Sequence, residues 1–299
     1  MFICDAHCDT LYRLLKEPGS NNDVTPERLK CGGVGLQTLA MFVGTSSDKK
    51  TIINTIEGMM AISDELRQEG LDIVDDPDLA TEGEVKYMLS IEGSEVFEDD
   101  LSLLEAYRKK GVRMASLTWN YDNKFASCHM GDTSRGLSNL GKECVREMNR
   151  LGIAVDLSHI SEKAFKDVLD HALSSPLASH SCAKALCNHS RNLSDEQLVA
   201  LFNAGGFVGI NFCPAFLNEK GEANMLDVLK HIEHMYELGG SGKVGFGSDF
   251  DGIDTKPIGL DNPEDFPALI RFLADSGSFS DDDIADISGR AFINYYKKL

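Results

Sequence analysis

No stretch of this chain comes near the 18 or more consecutive apolar residues that a membrane-spanning helix needs. Its first fifteen residues carry Asp5, Asp9 and Arg13 where a secretory leader would have a basic start and an unbroken apolar run. The expected setting is therefore the cytoplasm. Positive charge is scarce as well. Against 48 Asp and Glu stand 29 Lys and Arg, a formal net charge of −19. A surface that negative repels phosphate backbones and anionic lipids, which argues against nucleic acid and membranes as partners. The eight cysteines form no CxxC pair and no dense framework, so they read as reduced thiols, several of them buried. No repeat, low-complexity tract or linker interrupts the 299 residues, and the expectation is one domain over 1–299. The most loop-like stretch, "EPGSNNDVTPER" (17–28), is long enough to cover a site but does not divide the chain.

What is present is an alternation. Eight short apolar runs end in polar residues: "FICDAHCD" (2–9), "GLQTLAMF" (35–42), "YMLSIEG" (87–93), "VRMASLTW" (112–119), "IAVDLSH" (153–159), "PLASHS" (176–181), "GFVGINF" (206–212) and "KVGFGSDFDG" (243–252). Each has the length of a buried parallel strand. Helical patterns separate them at 51–70, 100–111, 137–152, 161–173, 194–206 and 225–240, and the tail 263–299 reads as two or three more helices. Strands alternating with helices imply a parallel sheet, and eight of them suggest a (β/α)₈ barrel. A doubly wound open sheet is the rival, but no glycine-rich phosphate turn follows the first run.

The strand ends carry the chemistry. His7 and Asp9 close the first run, Glu92 the third, His159 the fifth, His180 the sixth, and Asp249 and Asp251 the eighth. In a barrel these ends converge on one mouth. Side chains two apart on a strand share a face, which groups Asp5, His7 and Asp9. Imidazoles and carboxylates gathered in this way suit a divalent metal, and five such donors suit two metals sharing a bridging carboxylate. Each residue alone also has an ordinary reading. A strand-end histidine can simply be hydrogen-bonded, Glu92 can pair with a cation, and Asp249 can cap a turn. Their conjunction is what points to a metal, since such groups buried together without one are costly. His171, His231 and His234 lie on helical patterns and read as surface or packing residues; His189 lies near the expected site but also near a helix start. His129, Trp119 and Tyr121 lie in or beyond the fourth strand's end, where they could line a pocket or cover the mouth.

Taken in order, "DAHCDT", "SIEG", "DLSHIS", "ASHSCAKALCNHSRN" and "VGFGSDFDG" resemble the membrane (renal) dipeptidase family of zinc peptidases, from residue 3 to about residue 252. The resemblance implies an amidohydrolase-like TIM barrel with extra C-terminal helices and two Zn²⁺ per chain. His7 and Asp9 would hold one ion, His159 and His180 the other, and Glu92 would bridge them. A hydroxide shared by the metals would attack the peptide bond of a dipeptide. Arg191 would bind the substrate's carboxylate. Asp249 would carry the proton or hold the substrate's ammonium. At one position the chain departs from the family: "SLTWNYDN" puts Trp119 where the animal enzymes have a histidine near the substrate carbonyl, so Trp119 becomes a substrate-facing candidate. The resemblance is to the soluble bacterial members, and relatives often form homodimers. The alternative is another amidohydrolase-type enzyme acting on amides, lactones or esters. Those usually begin H-x-H, and many use a carboxylated lysine bridge; this chain has H-x-D and Glu92.

Overall fold

A computed structural model describes residues 2–44 and 48–299. The described residues form eight parallel strands: β1 (Ile3–Asp5), β2 (Val34–Phe42), β3 (Asp72–Ile73), β4 (Lys86–Glu92), β5 (Val112–Ser116), β6 (Ala154–Asp156), β7 (Val208–Ile210) and β8 (Val244–Phe246). They pair in the order β6-β5-β4-β2-β1-β8-β7, with β3 attached to the side of β4. The longest register, between β2 and β4, sets Phe42 beside Glu92 at the strand ends.

The ring closes through residues 177–178. Leu177 bridges Asp156 and Ala178 bridges Val208, both in the parallel sense. Seven of the eight expected runs contain a strand, and this one is reduced to two bridges. Its backbone donors explain why. The Ser179 N–H goes to Asp156 Oδ1 at 2.9 Å and the His180 N–H to Ser158 Oγ at 3.2 Å, so side chains replace the ladder just where the chain must present His180. The carbonyl of Ser179 also leans on β7 and β8. A Cβ on Gly209 would lie 2.0 Å from that oxygen and one on Gly247 1.8 Å, an approach only glycine permits. β3 is a two-residue edge with no apolar run to announce it.

The helices cover the outside. Ser138, Ser161 and Ser194 cap the helices Asn139–Leu151, Glu162–His171 and Asp195–Asn203 through their side chains, the last as a full capping box. The C-terminal tail holds helices Phe266–Asp275, Asp281–Ala285 and Ala291–Tyr296. The last of these plugs the N-terminal end of the barrel. Phe292 and Tyr296 pack there with Cys4, Leu36, Met114 and Phe207, apart from the main core. With the bottom sealed by apolar packing, the opposite end is left for chemistry. The stretch 17–28 is pinned to that end, because Asp251 accepts the N–H of Asp23 at 2.6 Å and of Val24 at 3.2 Å.

Candidate metal centre and active site

Four strand ends deliver the cluster. His7 and Asp9 follow β1, Glu92 ends β4, His159 follows β6, and His180 follows the bridged segment 177–178. Glu92 divides its carboxylate between two groups of donors. Oε1 lies 2.8 Å from His159 Nε2 and 3.4 Å from His180 Nε2, while Oε2 lies 3.8 Å from His7 Nε2. His7 Nε2 is also 3.8 Å from Asp9 Oδ2 and 3.7 Å from Asp249 Oδ1. Ligand-type atoms of His7, Glu92 and His180, and again of His7, Asp9 and Asp249, lie within 4.8 Å of one another.

The far sides of the rings set where their protons are. His180 Nδ1 is 2.7 Å from Ser179 Oγ, which itself donates to Asp156 Oδ2 at 2.5 Å. Ser179 therefore accepts from His180 Nδ1–H. His159 Nδ1 is 2.7 Å from Asn120 Oδ1, an acceptor, and so donates as well. Both Nε2 atoms are then bare lone pairs. They stand 2.9 Å apart beside Glu92 Oε1, and burial with neighbouring Asp9 pushes the Glu92 carboxyl well above the usual carboxylate range, so the three groups together call for positive charge. Burial holds both imidazoles well below their usual pKa, with cationic Arg191 adding to the effect. A divalent cation satisfies that arrangement. On the other side, His7 Nε2 and Asp9 Oδ1 are buried without a hydrogen-bond partner. Burial disfavours a charged His7, but Glu92, Asp9 and Asp249 outweigh it and raise its pKa to about 10. The field there calls for positive charge. The donor set, imidazole nitrogens and carboxylate oxygens, fits a divalent metal.

Backbone strain concentrates at the same mouth. Among the described residues, His159, Asp249 and Asp251 are the non-glycine residues with positive φ, at 68°, 64° and 65°. That conformation is uncommon outside glycine and gathers at functional sites.

A cavity of about 500 Å³ opens over the cluster. Arg191, almost fully buried, reaches it from beyond His180, donating Nη2–H to the His180 carbonyl at 3.2 Å and lying 5.6 Å from the Phe216 ring. Asp249 is held by Asn211 Nδ2 at 2.9 Å on Oδ2. Burial and neighbouring Asp9 raise its pKa. Trp119 forms one wall, its ring tilted against Phe42 with centroids 4.6 Å apart, and Phe42 in turn meets Tyr12 at 4.9 Å. Two expected neighbours do other work. Asp5 faces the barrel interior and accepts from Ser248 N, Ser248 Oγ and Gln37 Nε2, tying β1 to its neighbours. Asp251 clamps the 17–28 stretch and accepts from Thr10 Oγ1 at 2.7 Å. Asn120, Asn211 and Ser179 were not among the expected site residues. A lone amide or hydroxyl beside a strand end carries no sequence signal of its own.

A closed parallel barrel gathering imidazoles and carboxylates at one mouth is the architecture of metal-dependent hydrolases of the amidohydrolase type. A sequence model of the membrane dipeptidase family, peptidase family M19, matches residues 1–298, and the chain belongs to that family, which implies a metal cofactor. An uncharacterized dipeptidase of Schizosaccharomyces pombe is 39% identical over 217 residues, 71% of this chain and 53% of that protein. The dipeptidase aclJ of Aspergillus oryzae is 39% identical over 211 residues, 69% of this chain and 50% of that protein. The chain thus spans about half the length of these curated relatives. The crystal structure of a Rhodobacter sphaeroides metallopeptidase, liganded with a phosphinate mimic of the dipeptide L-Ala-D-Ala, superposes with a TM-score of 0.91 at 25% identity, covering 100% of this chain and 99% of that one. Among the described residues, no helix is long and apolar enough to cross a membrane.

Proposed function

We propose that the chain is a metal-dependent dipeptidase that hydrolyses the peptide bond of dipeptides. His7 and Asp9 would hold one divalent ion, His159 and His180 would hold a second, and Glu92 would be shared between them. The observation that carries the reading is the convergence of His159 Nε2 and His180 Nε2, neither bearing a proton, on Glu92 Oε1. Bound ions supply acidified water and polarisation of the scissile carbonyl. The chain's own residues do the rest. Arg191 receives the substrate's free carboxylate, for which a guanidinium fork is suited. Asp249, anchored on one oxygen by Asn211, keeps Oδ1 turned to the cluster to take the proton of the attacking water and return it to the leaving amine. Trp119 and Phe42 exclude water along one wall. A pocket requiring a carboxylate at Arg191 and an ammonium near the acidic cluster selects for two-residue substrates. The dipeptide mimic held by the Rhodobacter relative supports that substrate class.

Zinc as the native ion, a cytoplasmic setting, a single domain over 1–299 and a homodimer belong to the same proposal. Eight free cysteines support a reducing compartment. The test is metal content paired with activity. Protein purified without chelator should carry near two zinc ions per chain and cleave a mixed dipeptide panel, losing the activity on chelation and regaining it with zinc. Two ions with no dipeptide cleavage would leave the metal centre standing and shift the substrate to other amides, lactones or esters.

A further inference from the structure

Trp119 walls the active-site cavity, and the residue after it makes contacts that bear on both halves of the site. Asn120 Oδ1 lies 2.7 Å from His159 Nδ1 and 2.8 Å from His129 Nε2. A carboxamide oxygen has two lone pairs and no proton, so it accepts from both rings at once. That assigns the proton of His129 to Nε2. Its Nδ1 is therefore an acceptor, and it sits 2.8 Å from Ser190 Oγ, which donates to it. Ser190 immediately precedes Arg191. The backbone closes the same circuit, since the His129 N–H donates to the His159 carbonyl at 2.8 Å. His159 needs such support because it holds a left-handed backbone conformation at φ 68°. His129, His159 and Arg191 together line both the active-site cavity and a second cavity of about 450 Å³ behind it. The chain Asn120–His129–Ser190 is thus part of the partition that keeps the two apart.

We infer that Asn120 is a positioning residue for both halves of the site: its carboxamide oxygen turns the His159 imidazole so that Nε2 faces the metal position, and through His129 and Ser190 it fixes the segment that carries Arg191. The inference rests on the proposed role of His159 as a metal ligand. Outer partners that orient a ligating imidazole are worth about 10- to 100-fold in metal affinity. Asn120 reaches further than such a partner usually does, because the same oxygen also sets the carboxylate clamp.

The experiment compares Asn120→Ala, Asn120→Asp, Ser190→Ala and His159→Ala in the full chain. Zinc affinity is read by chelator competition, KM and kcat on a dipeptide, and ring tautomers by histidine ¹⁵N spectra. Asn120→Ala should weaken zinc binding by about 10- to 100-fold, raise KM, and release His159 from the Nδ1–H tautomer. Asn120→Asp retains an acceptor for both rings and should restore zinc affinity. Ser190→Ala should raise KM with zinc affinity unchanged, because it cuts only the arm towards Arg191. Wild-type zinc affinity, KM and tautomer in Asn120→Ala would overturn the positioning role. Wild-type zinc affinity in His159→Ala would instead overturn the ligand assignment on which it rests, so the two failures are distinguishable.

Discussion

His159 Nε2 and His180 Nε2 stand 2.9 Å apart with no hydrogen between them, each ring spending its single proton on the far side. Two lone pairs do not face each other at that distance in a buried, carboxylate-lined pocket unless something positive belongs between them. From this relationship the dependence on Glu92 follows directly. Glu92→Gln keeps the shape but replaces one oxygen of the proposed bridge with an NH2 group that cannot bind metal. Activity should fall by at least about a thousandfold, equivalent to several kcal/mol of lost metal-derived stabilisation. Elemental analysis should show fewer ions per chain. Full activity with two ions would remove Glu92 from the bridge.

Arg191 makes a prediction that separates binding from chemistry. Arg191→Ala should raise KM for dipeptides by about 10- to 100-fold, the worth of a charge-assisted hydrogen bond to a carboxylate. Dipeptide amides, which lack that carboxylate, should be cleaved equally by the variant and the parent. An equal loss on both substrate types would mean that Arg191 acts on the fold or the metal and not on the substrate's carboxylate.

Trp119 is half-buried against Phe42 and faces the cavity. An aromatic contact contributes about 0.5–1.5 kcal/mol beyond area burial. Trp119→Ala should therefore lower kcat/KM several-fold more for dipeptides with an aromatic side chain than for Ala-Ala. A uniform loss across the panel would make Trp119 a structural cover.

The metal-ligand candidates were legible from sequence because each sits at or just after the end of an apolar run, and a barrel brings such positions together; Arg191, eleven residues past His180, followed from the family resemblance alone. The sixth strand was less legible. Side chains of Asp156 and Ser158 capture its backbone donors, an interaction between residues some twenty positions apart that apolar periodicity cannot show. The same limit hid Asn120 and Asn211, whose importance lies in what their amides touch. Asp5 shared the expected face with His7, but the register of β1 leaves it one layer deeper, against Ser248. The helices of the tail show in its sequence pattern. Its function as a plug for the barrel bottom depends on where the last helix docks.

That plug can be tested for stability alone. Phe292 is buried against Phe207, ring centroids 5.0 Å apart. Phe292→Ala should destabilise the protein by about 3–5 kcal/mol, as for other buried phenylalanines. KM should not change, because the chemistry lies at the opposite end. Urea denaturation with parallel kinetics checks both. A changed KM at unchanged stability would contradict the division of the barrel into a structural and a chemical end.

His231 contributes to the response to acid. It is fully buried on the helix Met225–Met235, accepting the Ala183 N–H at Nδ1 and donating from Nε2 to the Leu217 carbonyl, each at 3.0 Å. Only the neutral ring can do both, and burial lowers its pKa to about 4. The folded protein thus binds fewer protons than the unfolded chain between about pH 4 and 6.5. The stabilisation is complete above 6.5 and is lost as pH falls through that window. By pH 5 this residue alone accounts for about 2 kcal/mol of the loss relative to pH 7.5. His231→Gln offers an acceptor and a donor without titrating. The variant should lose about 2 kcal/mol less than the parent between pH 7.5 and 5 in urea unfolding, whatever the other histidines contribute to both. Equal losses in the two proteins would show that His231 is protonated in the folded state, and that the clasp between Ala183 and Leu217 is not what holds this segment.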